Sequence, residues 1–135
     1  MTTLDTSTER QQLERDGFCV FDNVLDDGLL QRTRQASDRL LDAQSAEHFE
    51  KQRSTGSLVS VNDDPFFAEL IAAPGAITAL TQLGYTNPKW ASGFVISKPP
   101  HSPALFWHQD WWGWNESISQ TWVHPPQAFL MYYLV

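Results

Sequence analysis

The hydrophobic pattern of this chain changes near Trp90, and that break limits the fold more than any single residue does. Before it, apolar positions recur at helical spacing. Leu29, Thr33, Ala36 and Leu40 fall at i, i+4, i+7 and i+11, one stripe along a helix. After it no helical period is found, and short β-rich runs alternate with Pro-rich loops. Such a chain belongs to the α+β class, one domain mainly helical through residue 89 with core strands from residue 90 to 135. Its 135 residues are the size of one domain, without repeat, linker or low-complexity tract.

Local signals place the elements. Residues 6–9 (TSTE) fit a capping box that opens a surface helix to about Arg15, ended by Asp16-Gly17. Residues 18–24 predict a short, mostly buried strand. Asp26 or Asp27 caps the striped helix, which runs to about Ala43. The polar residues 44–57 predict a loop, in which His48 beside Glu47 and Glu50 is solvated. Residues 58–61 predict a short strand. Asp64 is an N-cap with Pro65 at the first helical position, and Phe67, Leu70 and Ile71 form that helix's apolar face. Ala73-Pro74-Gly75 breaks it. A further helix carries Ile77, Leu80 and Leu83 and stops at Gly84.

In the second half, strands are expected at 90–97, 104–110 and 127–135, separated by a stiff Pro-rich loop at 98–103 and a long loop at 111–126. The last strand is apolar with nothing after it. An exposed edge of that kind invites pairing with another chain. The expectation is therefore a domain cut short here or completed by another polypeptide, with association through the final strand.

Charge and cysteine usage narrow the partners. A net charge of −7 argues against nucleic acid or an anionic membrane surface. The single Cys19 cannot form an internal disulfide, so a reducing compartment is expected. Residues 1–12 are polar, without the apolar core of a leader, and no apolar run approaches the ~20 residues of a membrane span. The expected location is the cytoplasm, and the expected partner is a small molecule.

The chemistry concentrates in residues 107–110 (WHQD). Side chains at i and i+2 of a strand share a face, so His108 and Asp110 can reach one metal ion while Gln109 points away. With a second, distant His they would make the 2-His-1-carboxylate triad of non-heme Fe(II) oxygenases. The bland alternative is a hydrogen-bonded core histidine beside a turn aspartate. His101, in the Pro-rich loop, and His124, before Pro125 and Pro126, are loop residues near a pocket mouth, and either remains open as a third ligand. Trp111, Trp112 and Trp114 either wall a substrate pocket or cover the sheet. A Gly-rich phosphate loop, a Gly-x-Ser-x-Gly elbow and a Cys-x-x-Cys pair are all missing from the sequence.

Four pieces in order carry a family resemblance. They are residues 16–25 (DGFCVFDNVL) followed by a helix, residues 94–100 (FVISKPP), residues 107–110 (WHQD) and the apolar run 127–135. Together they resemble the N-terminal half or so of the phytanoyl-CoA dioxygenase family, whose members are Fe(II)/2-oxoglutarate oxygenases. The resemblance implies a double-stranded β-helix, a jelly-roll-like barrel with helices packed outside, here cut short at the C-terminus. It implies that His108 and Asp110 are two of three Fe(II) ligands, with Phe94 and Tyr132 beside the 2-oxoglutarate. It implies oxidation of a small organic substrate, with O2 and 2-oxoglutarate converted to CO2 and succinate. A carboxylate at Asp110, where related halogenases carry a small residue, favours hydroxylation. The family's distal His and its oxoglutarate-binding Arg have no counterpart here, so the chain alone is expected to lack full activity. A non-catalytic binding module of the same fold is the rival expectation.

Overall fold

The computed structural model describes residues 7–52, 56–98, 100–108, 110, 115–117 and 126–134. Along the chain run α1 (Thr8–Asp16), α2 (Asp27–Asp42), α3 (Ala46–Lys51), β1 (Ser57–Ser60), a 3-10 turn (Val61–Asp63), α4 (Phe67–Ile71), α5 (Pro74–Gln82) and β2 (Phe94–Ser97). The class is α+β. Among the described residues no helix is long and apolar enough to cross a membrane.

The organising element is α2. Asp26 caps it by accepting a 2.7 Å hydrogen bond from the Leu29 amide, which satisfies one of the donors left over at a helix start. The expected stripe of Leu29, Thr33, Ala36 and Leu40 is buried along its length, together with Ser37. Thr33 is tolerated there because its hydroxyl donates to the Leu29 carbonyl at 2.8 Å. α2 packs on β1, β2 and α4. The main core joins Ala36 and Leu40 to Val59, Val61, Phe67, Leu70 and Val95. A second cluster joins Leu29 to Ala73 and Ala76.

β1 and β2 form a two-stranded antiparallel sheet, in register Ser57↔Ser97, Leu58↔Ile96, Val59↔Val95 and Ser60↔Phe94. Val59 and Val95 point to the core under α2, so by alternation Phe94 and Ile96 lie on the other face, where they are exposed.

Several expectations are corrected. Residues 18–24 form no strand, and Phe18 and Val20 are exposed. The segment turns instead, with Asn23 in the left-handed region at φ 56°, and docks on α5. There the bare Gly75 admits the Val24 carbonyl, which a Cβ would meet at 2.2 Å. The predicted loop 44–57 contains α3, started by Ser45, whose hydroxyl accepts from the His48 amide at 3.1 Å. His48 is not solvated; its Nε2 lies 2.7 Å from the hydroxyl of buried Ser57.

The caps and faces of the shorter helices also shift. α1 is capped by Ser7, and Gly17 ends it at φ 80°. α1 buries no residue; Arg10 ties it to the end of α5 by donating to the Leu83 carbonyl at 3.1 Å. Pro65 lies before α4 rather than in its first turn, and Asp64 accepts from the Phe66 amide at 2.9 Å. At α5 Leu83 is buried as expected, and Ala76 and Ala79 are buried with it, whereas Ile77 remains 41% exposed. Ala76 packs with Leu29 and Ala73 in the second cluster.

In the second half only Phe94–Ser97 of the expected strand 90–97 is a strand. The described residues of 104–110 and 127–135 join no sheet. A β-strand is held by a neighbour's backbone groups, and the β-rich composition of these segments does not supply one.

Candidate metal centre

His108 follows a backbone segment that positions its ring from within. Its Nδ1 lies 3.0 Å from the Phe106 carbonyl oxygen. A carbonyl can only accept, so Nδ1 carries the hydrogen and donates it. In the neutral ring Nε2 is then the bare nitrogen, with its lone pair pointing outward. The Phe106 ring meets the imidazole edge-on, with centroids 5.6 Å apart.

A carboxylate lies near that nitrogen. Nε2 of His108 and Oδ1 of Asp110 are 3.5 Å apart, and both side chains are exposed. Two acceptors this close repel unless a positive species, a proton or a metal ion, lies between them. A divalent ion sits about 2.1 Å from a nitrogen or carboxylate donor. Twice that length exceeds 3.5 Å, so one ion can touch both atoms. The donors also suit iron, because imidazole and carboxylate both bind it. A carbonyl holding the far nitrogen of the ring is the usual second support of a metal-bound histidine.

Among the described residues no third His, Cys, Asp or Glu joins the pair. His101 is therefore not beside it; it stands in its own turn at φ 65°. His124, Gln109, Trp111, Trp112 and Trp114 lie outside the described residues.

Phe94 and Tyr132 are not brought together. Phe94 is exposed on the outer face of β2, opposite Val95. Tyr132 packs, half-buried, on the core cluster that contains Val95, and burial pushes its phenol above the usual value. The nearby Leu134 carbonyl accepts a 2.7 Å bond from Arg34 Nε on α2, which fastens this end of the chain to the core. Among the described residues no hydrogen bond or ring contact joins Phe94 or Tyr132 to His108 or Asp110.

Two contacts escaped the sequence reading. The His48–Ser57 bond was hidden behind the missed α3, although Ser45 three residues before His48 is a capping signal. The Phe106 carbonyl on His108 is a backbone contact, and no residue type announces it.

A model of the phytanoyl-CoA dioxygenase (PhyH) family matches residues 13–132. This stretch takes in α2 through β2, the His108–Asp110 pair, Phe94 and Tyr132. Comparison with curated proteins and comparison with solved structures each gave no match.

Proposed function

Because the chain belongs to the phytanoyl-CoA dioxygenase family, we propose that His108 and Asp110 hold Fe(II) as part of a 2-oxoglutarate-dependent dioxygenase site. The observation that carries this reading is the closeness of the two side chains. A histidine whose Nδ1 is committed to the Phe106 carbonyl presents Nε2 to a carboxylate 3.5 Å away, and the gap admits one divalent ion.

When bound, the iron supplies the redox chemistry that joins O2 to two substrates. One oxygen atom converts 2-oxoglutarate to succinate and CO2, and the other enters a C–H bond of a small organic molecule to give an alcohol. The chain's own part is positional. Phe106 fixes the tautomer and rotation of His108, and Asp110 supplies the anionic ligand. A ligating carboxylate fills the position that a halide would need, which favours hydroxylation over halogenation.

The third protein ligand, and the cation for the far carboxylate of 2-oxoglutarate, come from outside the described residues or from another polypeptide. The barrel is a double-stranded β-helix in this reading. Exposed Phe94 and Ile96 on the outer face of β2, with exposed Phe129, Met131 and Tyr133, support it, because apolar side chains of this kind face the interior of a closed barrel. Phe94 then stands at the co-substrate and Tyr132 braces the segment from behind. Trp111, Trp112 and Trp114 line the substrate side in this reading, which favours an apolar or ring-containing compound, and the acidic chain works in the cytoplasm rather than on nucleic acid or membrane.

An anaerobic titration with Fe(II) and 2-oxoglutarate tests the reading. A visible absorption band that forms with the intact chain and not with His108→Ala supports it. Failure of the intact chain to retain Fe(II), measured by metal analysis after desalting, sinks it.

A further inference from the structure

We infer that α1 is a detachable strap. It docks as the cap that completes the end of α5, with Arg10 as its pin, and it lets go as a unit while the core stays folded.

A helix end leaves its last carbonyls without amide partners. At the end of α5 the following residues serve the earlier ones. The Leu83 amide donates to the Ala79 carbonyl at 3.1 Å. Gly84 then turns left-handed at φ 92°, and the Gly84 and Tyr85 amides donate to the Thr81 and Leu80 carbonyls at 2.9 Å each. The Gln82 and Leu83 carbonyls come next, and α1 takes both. Ser7 Oγ donates to the Gln82 carbonyl at 3.3 Å, and Arg10 Nη1 donates to the Leu83 carbonyl at 3.1 Å. The carbonyl end of a helix carries partial negative charge, which favours a guanidinium there. Gly84 keeps the seat open, because a side chain at that position would run into the Arg10 guanidinium. Burial raises the Tyr85 phenol above its usual value, and the Arg10 charge works against that rise.

The strap is made to come away cleanly. α1 buries no residue, so its departure opens no cavity in the core. Its nine residues are too few to hold a helix in water without support. Ser7 links folding to docking, because the hydroxyl that donates to Gln82 also caps α1 by accepting from the Arg10 amide at 3.1 Å. Undocking therefore melts α1 and returns the last carbonyls of α5 to water. Ser7 and Arg10 precede residue 13, where the family match begins, and nothing in the strap depends on the reading of His108 and Asp110.

Hydrogen exchange of the full chain, read by mass spectrometry on segments covering α1, the end of α5 and α2, tests the strap. In the wild type, α1 and the end of α5 should exchange through a shared opening that leaves α2 protected. Arg10→Gln should speed exchange of α1 roughly tenfold or more, because a hydrogen bond from a charged group is lost, with α2 unchanged. Gly84→Ala fills the seat and should speed α1 as well, but in the Arg10→Gln background it should add little. Glu14→Gln removes the pair that Arg10 makes within α1 at 3.0 Å and leaves the pin, so its effect should be clearly smaller. Exchange of α1 no faster than that of α2 overturns the strap, as does a loss of α2 protection in Arg10→Gln, since α1 then opens only with the body. Wild-type α1 exchanging at the rate of an unfolded chain overturns the pin. Equal effects from Arg10→Gln and Glu14→Gln overturn the docking on α5 and assign the helix to its own internal pair.

Discussion

The residues from α2 to β2 and those from 100 to 134 are built by different rules. In the first region a core is built within the same stretch: α2 lies on β1, β2 and α4, and its stripe is buried. In the second, Leu105, Phe106, Trp107, Phe129, Met131 and Tyr133 are exposed, and ties to the body among the described residues include the packing of Tyr132 and the Arg34–Leu134 bond. The proposed metal ligands, His108 and Asp110, lie in the second region. Stability therefore resides in one part of the chain and the proposed chemistry in the other, and mutations in the two should separate cleanly.

The largest effect tests that separation. Phe67 is buried in the main core, so Phe67→Ala should cost about 3–5 kcal/mol, enough to unfold a marginal domain. Trp107→Ala removes an even larger side chain from a fully exposed position and should change stability by no more than about 0.5 kcal/mol. Urea unfolding of both variants decides it. A large loss from Trp107→Ala would mean that the tip is covered and that the two regions share one core.

Next in size is Gly75→Ala. Its new methyl would lie 2.2 Å from the Val24 carbonyl, and relief requires moving backbone, at about 1–3 kcal/mol. The same substitution at Gly28, where the nearest atom is the Asp26 carboxylate at 3.2 Å, should be milder. Equal effects would place the 21–24 turn away from α5.

Legibility in the sequence divides along the same line. The α2 stripe was readable because a helix makes its own hydrogen bonds, so that spacing alone reveals its buried face. The burial of Ala76 on α5 was not, because it is set by Leu29 and Ala73 packed against it across the chain rather than by its own hydropathy. The run 18–24 shows the limit most clearly: its residues favour a strand, but a strand exists only where another backbone accepts it. For the site, His108 and Asp110 were legible as residue types at a two-residue spacing. The Phe106 carbonyl that fixes the ring was not, since every residue has one.

Cap removal is a smaller effect. Asp26→Ala leaves the Leu29 amide unpaired at the start of the element on which the core is laid and should cost about 1 kcal/mol. Ser45→Ala on α3 loses the same kind of bond, and its exposed position keeps the cost at or below that figure. If Asp26→Ala costs nothing in thermal unfolding, α2 is held by packing alone.

The smallest effect is pH-dependent and lies at the seam between α2 and α4. The Phe66 amide, and after it the Arg39 guanidinium at 2.8 Å, hold the Asp64 carboxyl below its ordinary value. A carboxyl lowered in the folded state stabilises the fold above its unfolded value, and the contribution is lost as pH falls through the folded value. Asp64→Asn keeps an oxygen for the Phe66 amide but removes the charge that Arg39 meets. The wild type should therefore melt slightly higher than Asp64→Asn at neutral pH. The gap should close as pH drops through and below the usual carboxylate range, and it should shrink in high salt because Arg39 is exposed. A gap that ignores both pH and salt would assign the stabilisation to the shape of the Asp64 turn rather than to its charge. The seam would then follow the same packing rule as the rest of the body.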